Sequence, residues 1–123
     1  MIKKTLFFWL IMSIGGCSNG YKRTGIKMDG RYVDEAEIHQ TVKGLLSSKK
    51  SEQAIKLLDT LILNNRGNGY LYYEKGFVKG HDFQCESSID DLKIAQKLNY
   101  KKKNCQYLID ACRIIIHYNV KRL

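Results

Sequence analysis

The chain has 123 residues, 44% of them apolar and 27% charged, with a formal net charge of +9 and no proline. That length excludes more than one small domain. The positive balance favours anionic lipid headgroups, cell-wall polymers or an acidic protein as partners, against the alternative of a merely solvated lysine face.

The first sixteen residues read as an address rather than as fold. Lys3 and Lys4 precede the apolar run LFFWLIMSI, which ends at Gly15 and Gly16 before Cys17. A charged end, a short apolar core and small residues make a secretory signal, and the run is too short for a spanning helix of about 20 residues. The tetrapeptide Ile14-Gly15-Gly16-Cys17 resembles the lipobox of bacterial lipoproteins. That resemblance implies cleavage before Cys17, acylation of Cys17 and, with Ser18 next, an outer-membrane protein facing the periplasm. Two or more lipid chains make such an anchor stable. The other reading is a plain signal peptide or a membrane-buried helix, with an incidental cysteine. Removal of residues 1–16 takes two of the 21 basic residues, leaving 19 against 12 acidic and a charge of +7. Nucleic acid is not an expected partner for an exported, lipidated chain.

Residues 17–33 follow as a lipidated flexible tether, with Gly20, Gly25 and Gly30 spaced among polar and basic residues. Asp34 and Glu37 then form the D-x-x-E start of a helix, whose stripe is Ile38, Val42, Leu45 and Leu46. Ser47 to Lys50 break the stripe. Ser51 caps a second helix dense in apolar residues, Ala54, Ile55, Leu57, Leu58, Leu61 and Ile62, and Asn64 to Gly69 is its exit turn. Gly69 to Tyr100 reads as two helices folded back on each other, with Gly76, Ser88 and Ala95 as small residues at the crossing and Leu92 filling the space beside them. A fifth helix over 103–120 carries Cys105, Leu108, Ile109, Cys112, Ile115 and Ile116 on one face. The predicted class is therefore all-α, built of antiparallel helix hairpins with five helices in the domain 34–123.

A shift of 34 positions lays Glu52, Ala54, Ile55, Leu58, Leu61 and Asn65 over Glu86, Ser88, Ile89, Leu92, Ala95 and Asn99. On these residues the chain resembles the tetratricopeptide family, whose helix-hairpin repeats are about 34 residues long. With repeats at 35–68 and 69–102, Gly76, Ser88, Leu92 and Ala95 match the family's small and large positions. Lys75, Lys79 and Tyr100 depart from its Leu, Tyr and Pro, and the upstream copy has Val42 and Leu61 where Gly and Ala are usual. The resemblance implies about two and a half repeats, the last helix capping the stack, with the tether, a partner or self-association completing the core. It also implies a concave, partner-binding groove lined by the first helix of each repeat. The groove positions are Ala36, His39 and Lys43, then Tyr70, Tyr73 and Phe77, then Asn104, Tyr107 and Ala111. Read from spacing alone, Tyr70, Tyr73 and Phe77 share one helical face, which suits either a groove or the core.

Cys105 and Cys112 lie two turns apart on one helix, about 10 Å, and cannot bond each other. Cys85 is nearer to Cys112, leaving either that bridge or three buried thiols. His81 and Cys85 are the only close pair of soft metal ligands and straddle a turn, so no metal and no cofactor is expected. With no nucleophile, metal or phosphate-loop motif present, the chain is expected not to be an enzyme. The expected function is an envelope adaptor or assembly factor binding a protein partner, acidic or otherwise. Alternatives are an immunity protein against a periplasm-acting toxin and a structural lipoprotein binding the cell wall.

Overall fold

The computed structural model describes residues 25–122; residues 1–24, with the signal-like run, Cys17 and the start of the tether, lie outside the described residues. The chain enters as an antiparallel hairpin, β1 Ile26–Met28 and β2 Arg31–Val33. Five helices follow: α1 Glu35–Ser47, α2 Ser51–Asn64, α3 Gly69–His81, α4 Cys85–Lys97 and α5 Lys102–Arg122. The class is all-α, as the helical periodicity predicts, with this one small sheet. Among the described residues no helix is long and apolar enough to cross a membrane.

The hairpin corrects the reading of residues 17–33 as tether over its second half. Asp29 and Gly30 both have positive φ, 49° and 80°, the two-residue turn whose twist matches paired strands. Ile26 pairs with Val33, and both are buried on one face, in a cluster with Ile38, Val42, Leu58 and Leu61. Asn65, just past α2, clips β1 in place. Its side chain accepts from Lys27 N at 2.9 Å, and its amide donates to Lys27 O at 3.0 Å. The remaining strand edge thus meets an amide that imitates a further strand.

The helices recur at a fixed interval. Glu35 to Gly69 and Ser47 to His81 are both 34 residues, so α1 and α3 begin and end one repeat length apart. Their C-terminal turns match as well: Lys49 and Phe83, again 34 apart, hold left-handed φ of 58° and 59°. In each turn the next amide reaches back over the helix end, Lys50 N to Leu45 O and Gln84 N to Lys79 O, both 2.8 Å. The starts are capped too, Asp34 accepting from Glu37 N at 2.8 Å and Asn68 from Leu71 N at 3.4 Å.

Each helix packs on the next, and α3 also meets both α1 and α5, which brings the first helices of successive hairpins side by side. The α3–α4 crossing is as close as its small residues predict. A Cβ on Gly76 would stand 2.7 Å from Leu92 Cγ, and Ser88 Oγ donates to Gly76 O at 2.6 Å. Ala95 is fully buried. One apolar cluster spans the hairpin, α1, α2 and α3, and a second spans α4 and α5; Tyr100 packs against both.

Candidate functional site

The face where α1, α3 and α5 lie side by side carries the groove positions. His39 is half-exposed on α1, its Nδ1 2.8 Å from Glu74 Oε1, and its ring is 6.5 Å from that of Phe77. Tyr73 and Phe77 are half-buried on α3, and Tyr107, 75% exposed, stands on α5. Ala36, Lys43 and Asn104 are exposed and Ala111 is half-buried. Tyr70 differs from the rest. It is 4% exposed, its hydroxyl donates to Glu35 O at 3.0 Å, and its ring belongs to the core cluster. The three aromatics that spacing alone leaves undivided are thus split, Tyr70 inward and Tyr73 and Phe77 toward the surface.

Three adjoining cavities follow this face. The first, about 330 Å³, lies between Glu35, Ala36, His39, Tyr70, Tyr73, Glu74, Tyr100 and Lys101. The second, about 500 Å³, shares Tyr73 and runs past Lys103, Asn104, Tyr107 and Leu108. The third, about 170 Å³, shares Leu108 and reaches Phe77, Ala111 and Cys112. A further cavity of about 430 Å³, between Phe83, Cys85, Ile115 and Ile116, lies off this face at the α3–α4 turn.

Glu74 forms the floor of the first cavity. It is only 2% exposed, and a carboxylate taken that far from water requires a partner, which His39 supplies from 35 residues away. Tyr70 and Tyr100 line the same cavity as neutral phenols: burial holds each hydroxyl above its ordinary range, reinforced by Glu74 at Tyr70 and by Glu35 at Tyr100. Burial also raises Tyr73, and a hydrogen bond with Asn104 works the other way. Tyr100 donates to Glu35 Oε2 at 3.1 Å and packs on Tyr70 and Tyr73 with ring centroids at 5.8 and 5.5 Å. Lys101 borders this cavity and Lys103 the next, both exposed, with Lys101 Nζ 5.6 Å above the Tyr100 ring. An aromatic wall with a basic rim can hold an extended segment bearing carboxylates.

Glu35, Glu74 and Tyr100 are parts of this site that the groove positions do not include. Tyr100 stands where the resembled repeat has proline, and that departure is the one signal in the sequence. Glu74 carries none, because a Glu beside two tyrosines reads the same whether exposed or buried.

The remaining candidates lie apart. Cys85, Cys105 and Cys112 are free and buried; burial and the neighbouring Cys112 push the Cys85 thiol up to about 12, and Cys105 Sγ lies 3.3 Å from Tyr100 O. His81 is exposed while Cys85 is buried, and among the described residues no group of His, Cys, Asp or Glu is placed to hold a metal. No family model, curated relative or solved structure matches this chain.

Proposed function

We propose that this chain is a lipid-anchored protein-binding module of the bacterial cell envelope, an adaptor or assembly factor, resembling tetratricopeptide-repeat proteins. It takes an extended, carboxylate-bearing segment of a partner protein in the α1–α3–α5 groove. The observation that carries the reading is the convergence of His39, Tyr73, Phe77 and Tyr107 from three helices on one cavity-lined face, bordered by Lys101 and Lys103. Aromatic side chains give large contact area at small cost in rotamer entropy, and basic neighbours speed the encounter with an acidic segment. The lipobox-like Ile14-Gly15-Gly16-Cys17 supports the anchor.

The test uses Tyr107, whose 75% exposure lets it be truncated without opening the core. A photo-crosslinking side chain at position 107 is expected to trap a partner that the same side chain at Thr60, exposed on α2, does not. Tyr107→Ala is then expected to weaken binding of that partner about 30-fold, the size of a modest hot spot, with an unchanged thermal midpoint. Identical adducts from both positions, or unaltered affinity in Tyr107→Ala, would sink the groove.

A further inference from the structure

The seven residues from Lys97 to Lys103 contain four lysines and no carboxylate. Lys97, Lys101, Lys102 and Lys103 are all exposed, and among the described residues none of them forms an ion pair. Ile94, in the last turn of α4, and Leu98, which caps that helix, are each 38% exposed beside them. Lysines interleaved with exposed apolar side chains suit a lipid interface, where charge meets headgroups and apolar groups enter the boundary below.

A chain of contacts fixes where this turn lies. Tyr100, in its middle, bonds Glu35 at the start of α1, and its Cβ is what a Cβ on Gly69, at the start of α3, would strike at 2.6 Å. Asn65, at the α2–α3 turn, binds Lys27 of β1. The strand by which the chain enters, the α2–α3 turn and the α4–α5 turn therefore share one end of the domain. Arg66, exposed, adds to its basic charge; Asp34 and Glu35, at the start of α1, share this end, Asp34 capping Glu37 N and Glu35 bonded to Tyr100, and Arg31 is paired with Glu37. The turns at the opposite end are mixed, with Lys49 and Lys50 beside Glu52, and His81 beside Asp82 and Glu86.

We propose that this end of the domain rests on an anionic lipid surface, with Lys97, Lys101, Lys102 and Lys103 at the headgroups and Ile94 and Leu98 in the interface. The patch stands on its own geometry, while its orientation in the cell rests on the reading of Cys17 as the lipid anchor. Cys17 lies eight residues before Gly25, a span of at most roughly 28 Å when extended. An anchor there tethers this end toward the bilayer, with Lys22 and Arg23 of the same sign in the gap. Lys101 and Lys103 also border the groove, so its mouth opens beside the membrane.

Both apolar clusters draw their side chains from Ile26 onward, so a chain beginning at Ser18, which lacks the signal-like run and Cys17, is expected to keep the helical circular-dichroism spectrum and cooperative melt of the full chain. We expect it to sediment with vesicles of phosphatidylcholine mixed with phosphatidylglycerol, not with phosphatidylcholine alone, and to be released as salt rises. The fourfold variant K97E/K101E/K102E/K103E is expected to bind at least 100-fold more weakly, at about one elementary headgroup interaction lost per lysine. K49E/K50E at the other end is expected to stay within a few-fold of the parent, and a Lys→Gln version of the fourfold variant guards against misfolding. Absence of binding to the anionic vesicles at low salt, an equal loss in K49E/K50E, or tighter binding to duplex DNA than to the vesicles overturns the proposal. Cys17→Ser in the full chain tests the anchor separately, by membrane fractionation and mass, so loss of either reading is visible without the other.

Discussion

Lys75 and Lys79 sit on α3 where the repeat pattern favours apolar side chains, and Asp91 of α4 is what makes them tolerable there. Asp91 is 6% exposed, its Oδ2 is 2.7 Å from Lys79 Nζ and its Oδ1 3.9 Å from Lys75 Nζ; Lys75 also reaches Asp59 at 2.6 Å. Removing this anion leaves the largely buried Lys79 ammonium without a carboxylate, while Lys75 keeps Asp59. Asp91→Ala is expected to cost about 3 kcal/mol, read as a lower urea midpoint at unchanged slope. The same site responds to alkali. Burial alone would lower Lys75, but Asp59 and Asp91 outweigh it and hold the ammonium above its ordinary value. A proton held more tightly in the folded state stabilises the fold below the unfolded pKa of about 10.4 and ceases to do so as pH rises through the folded value. Tyr70 and Tyr100 are raised too, chiefly by burial, and act with the same sign from about pH 10. Burial raises the Cys85 and Cys105 thiols with the same sign, so the urea midpoint is expected to hold up to about pH 8, to begin falling as the unfolded thiols ionise near about pH 8.5, and to fall further beyond about pH 10, less steeply there in Tyr100→Phe, which has no proton to lose.

Among the elements, α3 and α4 are held by the absence of a side chain. Gly76 faces Leu92 and the Ser88 carbonyl, and an added methyl would come within 2.9 Å of Leu92 Cδ2 as well as 2.7 Å of its Cγ. Alanine is the better helix former by about 1 kcal/mol, so a surface glycine would gain from the exchange. Here overpacking opposes that gain and prevails, and Gly76→Ala is expected to destabilise by about 1–2 kcal/mol in a melting curve. A stabilised variant would mean that α4 can move away freely. The hairpin shows how a local signal can be overlooked. Asp29-Gly30 between Ile26-Lys27-Met28 and Arg31-Tyr32-Val33 is a strong short-range turn signal, yet with three-residue strands in a glycine-rich basic stretch it also reads as tether. Three-residue strands have no stability alone, and contacts with α1 and α2 supply it.

For the molecule as a whole, the stack is closed at one end and left open at the other. The hairpin covers the first side, burying Ile26 and Val33 against α1 and α2. On α5, beside Tyr107 of the groove, Ile114 and Tyr118 remain 56% and 63% exposed. Tyr100 couples the two halves, touching both apolar clusters while its hydroxyl binds Glu35. If the hairpin belongs to the domain, Ile26→Ala is expected to cost about 2–4 kcal/mol and to lower one common transition for all five helices. An unchanged midpoint by circular dichroism would return residues 26–33 to the tether.

The number of helices, their 34-residue recurrence and the small residues of the α3–α4 crossing were legible in the sequence. Periodicity and capping residues are local, and the 34-residue offset repeats the same local pattern at Ala54 and Ser88, Ile55 and Ile89, Leu58 and Leu92. That Tyr70, Tyr73 and Phe77 share one helical face was legible, because spacing decides which side chains lie together. What lies opposite that face was not legible. Tertiary packing alone decided that Tyr70 turns inward to Glu35 while Tyr73 and Phe77 stay half-exposed, and that Glu74 is buried against His39, two residues 35 apart in the chain. It likewise decided that Asn65 holds Lys27 across 38 residues and so turns a flexible-looking stretch into a docked hairpin. Each of these depends on a partner brought near by the stacking of helices, and no window of sequence contains both members of such a pair.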